Sequence, residues 1–181
     1  MMFQDLLTAV VTIVLVLFVI GLAMWGWRRR SKSQSGMFEQ LPQAPDDPGT
    51  RVREPLRGVY IGSTYAGYWQ ERITREPLGF RSAATLTAYE SGLGLELAEA
   101  LVWIPRSDLV GVRRESKLAG KVVPGAGLLV VRWRLAGPDG YTFIDSGFRA
   151  DDKDDYPRWA ELTGEVTDPG EDIHQDIEEN K

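Results

Sequence analysis

From Leu7 to Trp27 the chain runs for 21 residues without a charge, LTAVVTIVLVLFVIGLAMWGW. At 1.5 Å per residue, a helix of that length spans about 30 Å, the thickness of a bilayer's hydrocarbon core. In lipid every backbone N–H and C=O must be satisfied within the segment, so a helix is the form such a stretch takes. The feature limits the remaining residues to a domain tethered at a membrane.

The flanks predict the orientation. A secretory leader carries positive charge ahead of a shorter apolar run. Here MMFQD holds only Asp5, and Arg28, Arg29, Arg30 and Lys32 all follow the run. Gly21-Leu22-Ala23 has the small-x-small form of a cleavage site, yet the charge order favours an anchor that is retained. Cations downstream and none upstream place the N-terminus outside and the C-terminal domain in the cytoplasm, at the plasma (inner) membrane. Trp25 and Trp27, with Arg28, Arg29 and Arg30 behind them, are the expected membrane-interface residues. The expected organisation is a single-pass anchor with its basic flank (1–30), a linker (31–57), a folded domain (58–164) and an acidic tail (165–181).

The linker holds four prolines, two glycines and eight charges that cancel, with no hydrophobic period, and reads as a flexible tether. From Gly58 the pattern becomes short alternating runs broken by turn residues. GVYIGST (58–64), SAATLTAYE (82–90), GLGLELA (92–98), ALVWIP (100–105), DLVGVRRE (108–115), LLVVRWRL (128–135) and YTFIDSGF (141–148) each read as a strand. The strongest is LLVVRWRL, with Leu129, Val131, Trp133 and Leu135 on one face and Arg132 and Arg134 on the other. Residues 149–164 predict an amphipathic helix. Its start is rich in aspartate, Tyr156, Trp159, Ala160 and Thr163 share a face, and Gly164 follows as a stop. About seven antiparallel strands and one helix imply a barrel or sandwich with the helix over an open end.

The net charge of −5 conceals an asymmetry. Residues 58–150 contain eleven Lys/Arg against nine Asp/Glu, whereas residues 151–181 contain three against twelve. A concentrated basic face of the kind nucleic acid requires is not present in this pattern, so no nucleic-acid partner is expected. The tail's composition predicts disorder. With no cysteine, disulfides, thiolate-metal sites and a thiol nucleophile are excluded.

The strings GVYIGST, GLGLELAEALVWIPRSDLVGVRRE, LLVVRWRL with YTFIDSGF, and the closing DYPRWAEL, behind an anchor and linker, resemble membrane-anchored bacterial proteins with a pleckstrin-homology-like (PH-like) domain. The chain is similar in particular to a small actinobacterial family of PH-like-domain or transporter membrane proteins. The resemblance implies a split barrel of two near-orthogonal sheets capped by the last helix, and no established activity. Eukaryotic PH domains often hold inositol phospholipids with basic residues of the first strand–strand loop. The corresponding STYAGYWQERITREP has only Arg72 and Arg75, each beside a glutamate, and departs from that pattern.

No catalytic residue, metal site or cofactor is expected. The one histidine, His174, falls in the acidic tail, DDKDD (151–155) lacks the glycine and final glutamate of a calcium loop, and Gly120-Lys121 is followed by Val122 rather than by the Ser/Thr of a phosphate loop. An unbroken apolar anchor lines no ion path. Two candidate surfaces remain. Arg106, Arg113, Arg114, Lys117 and Lys121, in and before RRESKLAGK, form a lipid-binding candidate, each cation near an anionic leaflet contributing about 1 kcal/mol. Tyr68 and Trp69 form a partner-binding candidate. The favoured expectation is a non-catalytic, membrane-tethered adaptor or accessory subunit of a membrane protein complex, its partners being the bilayer and another membrane or membrane-associated protein. The alternatives are a lipid-sensing module using loop 113–121, or a ligand site in the barrel mouth. The acidic tail could compete with lipid phosphate for the basic loop. Oligomeric state stays open.

Overall fold

A computed structural model describes residues 12, 14–16 and 18, and residues 41–167 except 126 and 139. The chain divides into two compact units, Met1–Gly36 and Met37–Lys181. In the first, residues 12, 14–16 and 18 are helical and exposed. Among the described residues no helix is long and apolar enough to cross a membrane. Most of the expected anchor, with Trp25, Trp27, Arg28, Arg29 and Arg30, the linker as far as residue 40, and the tail from residue 168 with His174 all lie outside the described residues.

In the second unit the alternating runs become β1 (Leu56–Tyr65), β2 (Ser82–Tyr89), β3 (Gly92–Leu97), β4 (Leu101–Pro105), β5 (Leu109–Glu115), β8 (Leu128–Gly137) and β9 (Gly140–Ala150). A short hairpin that the sequence did not announce, β6 (Lys117–Leu118) and β7 (Lys121–Val122), sits between β5 and β8. The seven longer strands form one antiparallel sheet in the order β4-β3-β2-β1-β9-β8-β5. Its two end strands, β4 and β5, are consecutive in the chain and are joined only by the 3-10 turn Arg106–Asp108. Seven flat strands would be about 29 Å wide. The four Cα steps from Pro105 to Leu109 cover at most about 14 Å. The sheet therefore bends round on itself until its edges approach at that corner. The hinge is β1, which pairs with β2 through its first half and with β9 along most of its length, with a register shift between Tyr60 and Gly62.

The enclosed core takes Leu129, Val131, Trp133 and Leu135 from β8, as their alternation requires, with Leu93 and Leu95, Val102 and Ile104, and Ile144 and Phe148. A polar chain crosses it. The Tyr60 hydroxyl donates to the Leu78 carbonyl at 2.9 Å and meets Ser63 Oγ at 2.6 Å. Ser63 Oγ meets Ser146 Oγ at 2.6 Å, and Trp133 Nε1 donates to Ser146 at 3.0 Å. With Tyr60's proton on Leu78, each hydroxyl donates to the next in one direction, so every member of this relay, from Trp133 to Tyr60, has a partner. Burial raises the Tyr60 hydroxyl's pKa, with the serine contacts pulling the other way.

Two features differ from the sequence expectation, the start of the folded unit and the length of the last helix. The folded unit begins before Gly58: Leu41 packs on the core, Arg51 bridges Tyr89, and Val52 N–H bonds the Ala88 carbonyl at 2.9 Å. Val59 and Ile61 share a face of β1 as the alternation predicts; it is the outer face, where they join a second cluster with Leu118, Leu128 and Val130. The helix expected over 149–164 is a single turn, α1 (Tyr156–Trp159). Tyr156 and Trp159 are buried as the spacing predicts, and Ala150 N–H bonds the Tyr156 hydroxyl. The aspartates do not cap it: Asp155 makes no side-chain cap bond, and Asp152 instead receives the Asp154 N–H in a tight turn.

The chain unwinds after α1 because it is needed elsewhere. Residues 162–166 run along the outer edge of β5. Val112 N–H bonds Leu162 O at 2.9 Å, Gly164 N–H bonds Val110 O at 2.9 Å, and Val166 N–H bonds Leu109 O at 3.2 Å. An edge that would otherwise offer itself to another strand is thereby covered. Position 164 admits only glycine, since a Cβ there would lie 1.7 Å from the Leu109 carbonyl oxygen. Gly164→Ala should lift this strap and destabilise the domain by about 1–3 kcal/mol, read as a lower denaturation midpoint by tryptophan fluorescence. An unchanged midpoint would show that the strap contributes nothing to stability.

Candidate functional site

The hairpin places the site. Lys117 pairs with Val122 and Leu118 with Lys121, leaving a two-residue turn. Ala119 (φ 52°) and Gly120 (φ 71°) both have positive φ, the geometry that lets a tight hairpin follow the twist of its strands. Leu118 is 1% exposed and sits against Ile61, Leu128 and Val130. Its seat exists because position 147 has no side chain, since a Cβ on Gly147 would come within 2.3 Å of Leu118 Cδ2. One buried leucine thus fastens the hairpin across the outer face of the sheet.

The hairpin tip meets the loop between β1 and β2. Gly120 N–H bonds the Trp69 carbonyl at 3.0 Å, and Lys117 Nζ lies 5.9 Å from the Trp69 ring centroid, within cation–π range. That loop is held from beneath. Ile73 and Leu78 are buried, Ser63 N–H bonds Leu78 O, and Ile73 N–H bonds Ser63 O, both at 2.9 Å. The Arg72 guanidinium donates to the Ile61 carbonyl over Gly62, where a Cβ would leave it no room. Tyr68 and Val122 are 63% and 62% exposed, among the largest apolar exposures of the domain. The two sequence candidates therefore meet at one point: Trp69 contacts Lys117 and the Gly120 N–H, and Val122 stands opposite Lys117 in the hairpin, whereas Lys121 pairs with Leu118 on the hairpin's other face.

The other three cations are placed differently. Arg113 belongs to a buried knot. Its Nη1 and Nη2 donate to the Asp145 carboxylate at 3.1 and 2.8 Å, its Nε donates to Glu115 at 2.9 Å, and Arg132 grips the same carboxylate through Nε and Nη2 at 2.9 Å each. Asp145's side chain is 5% exposed. Burial alone would raise its pKa, but the hydrogen bonds and charges of Arg132 and Arg113 outweigh burial and hold it below the usual carboxylate range. Arg113 is likewise opposed by burial and held above its ordinary value by Asp145. Arg106 lies at the β4–β5 corner, 3.5 Å from Glu165 across an exposed pair. Arg114 is exposed on β5. Arg113 thus supports the hairpin's root, and the ammonium groups at the hairpin itself are Lys117 and Lys121.

Elsewhere, an open groove of about 590 Å³ lies between residues 76–83 and the β3–β4 turn, with Phe80 57% exposed on its wall. Among the described residues no three His, Asp or Glu side chains are grouped to hold a metal.

A family model described as "Bacterial PH domain-like" matches residues 38–164. No curated protein and no solved structure matches the chain.

Replacing the carboxylate of the knot leaves two guanidiniums facing each other, so Asp145→Asn should cost about 3–5 kcal/mol in urea denaturation at neutral pH. Because Asp145's pKa is depressed by folding, its stabilisation is complete above the ordinary carboxylate value of about 3.9 and is lost as pH falls through the lower folded value. The gap between wild type and Asp145→Asn should close on acidification over that interval. A pH-independent gap would mean that the carboxylate's charge is not what the arginines stabilise.

Proposed function

The chain belongs to the bacterial PH domain-like family, and from that premise we propose that it is a membrane-tethered adaptor, an accessory subunit that docks a membrane-associated protein through the Tyr68–Trp69 and Lys117–Val122 surface. PH-like domains are generally non-catalytic binding modules. The anchor at residues 7–27 and its inward orientation enter this reading from the sequence, on the charge order around the apolar run.

The observation that carries it is the meeting of two sequence-distant segments, the β1–β2 loop and the β6–β7 hairpin, at the Gly120–Trp69 hydrogen bond and the Lys117–Trp69 contact. A held Trp in contact with a lysine, with an exposed Tyr next to it in the loop and an exposed Val opposite the lysine in the hairpin, has the composition of an interface hot spot: aromatic area with few rotors, bordered by a polar group. Magnitudes favour a protein over lipid as the main ligand. Of the five candidate cations, Arg113 faces Asp145 and Glu115, Arg106 faces Glu165, and Arg114 stands on β5 rather than on the hairpin. Lys117 and Lys121 at about 1 kcal/mol each supply only weak attraction to an anionic leaflet. The lipid reading keeps one supporting observation, the exposed Val122 opposite Lys117 on a hairpin that meets Trp69, a combination suited to an interfacial depth.

A photoreactive amino acid at position 69 in intact membranes tests the proposal. The expected result is a discrete protein adduct that Lys117→Glu weakens and that does not form from the exposed position 158. Adducts with lipid alone, or a yield indifferent to Lys117→Glu, would overturn the adaptor reading.

A further inference from the structure

We infer that the Trp69–Lys117 surface is the seat of the chain's own C-terminal segment, residues 168–181, and that the partner it accepts is correspondingly an acidic segment carrying apolar side chains. The inference rests on reading this surface as the docking face.

Three observations converge. The first is charge. Residues 168–181 contain six carboxylates, Asp168, Glu171, Asp172, Asp176, Glu178 and Glu179, against the single Lys181. Among the described residues, neither Lys117 nor Lys121 has a carboxylate partner, whereas Arg106, Arg113, Arg132 and Arg134 each have one. The second is apolar content. Ile173 and Ile177 are the segment's large aliphatic residues, and the surface offers Tyr68 and Val122, both more than 60% exposed.

The third is where the chain leaves the fold and how far it reaches. The strap pins Val166 to the Leu109 carbonyl, at the start of β5, and the hairpin begins directly after β5 ends at Glu115. The seven residues of β5 span about 23 Å. Fourteen residues beyond Thr167 reach up to about 48 Å. The segment is thus tethered within reach of the hairpin, and an intramolecular ligand at that range acts at high effective concentration without needing a strong contact. Exposed ion pairs are individually weak and screened by salt, so the seat would be one a partner displaces rather than a permanent closure.

The test uses the full-length chain in its membrane. A carbodiimide that joins amines to touching carboxylates should link Lys117 or Lys121 to Asp172, Asp176, Glu178 or Glu179 within one chain, and high salt should diminish the links. Absence of such links at low salt overturns the inference. Ending the chain after Thr167 should raise the adduct yield from position 69 by about two- to tenfold, the range two weak pairs permit. An unchanged or lower yield overturns the competition. If position 69 gives no adduct from either chain, the adaptor reading fails, while the lysine–carboxylate links still decide the intramolecular contact.

Discussion

Three residues between β4 and β5 set the architecture. The strands at the two ends of the sheet are consecutive in the chain, so Arg106–Asp108 force a surface that could lie flat to enclose a volume instead. Everything inside follows. The inward residues of β3, β4, β8 and β9 become one core, and the Trp133–Ser146–Ser63–Tyr60–Leu78 relay runs through it because β8, β9 and β1 are neighbours in the sheet and Ser146 stands opposite Ser63. The corner also settles where the chain's end must go. Closure leaves the outer side of β5 without a partner strand, and residues 162–166 fill that vacancy.

The outer face obeys different physics. Where β5, β8 and β9 pass side by side, Arg113, Arg132 and Asp145 stand on the side of the sheet away from the core. A carboxylate between two guanidiniums satisfies more donors than either pair alone, and the knot stiffens three strands where the hairpin departs. A basic residue that looks available in the sequence is there a structural cross-link. The loop carrying Tyr68 and Trp69 is tied to β1 in a related way, since Arg72, which could have served as a ligand-binding cation, is occupied with the Ile61 carbonyl.

The period-2 runs were enough to locate all seven long strands, because burial of one face enforces alternation. They could not say which face was inner for β1, since Ile61 is buried and Val59 half-buried, only on the other side. The hairpin escaped notice because two-residue strands carry no period, and because Ala119 stands where Asn or Gly ordinarily signals such a turn. The length of α1 was overestimated because aspartates near a helix start have two outlets, capping and local turns, and here they take the second. The role of Arg113 was invisible for a plainer reason: its partner Asp145 lies 32 residues away, and only strand order brings them together. The same holds for Trp69 and Lys117, whose meeting depends on the hairpin folding over the sheet.

The hairpin's small cluster, Ile61, Leu118, Leu128 and Val130, has no member in common with the enclosed core. Its loss would leave the barrel's interior packed as before. The hairpin is therefore free to drift in sequence, or to exchange one turn for another, without disturbing the packing of the enclosed core. A fold so divided lets the hairpin change independently of foldedness, provided the framework keeps Gly147 and the apolar seat of Ile61, Leu128 and Val130 to which Leu118 attaches.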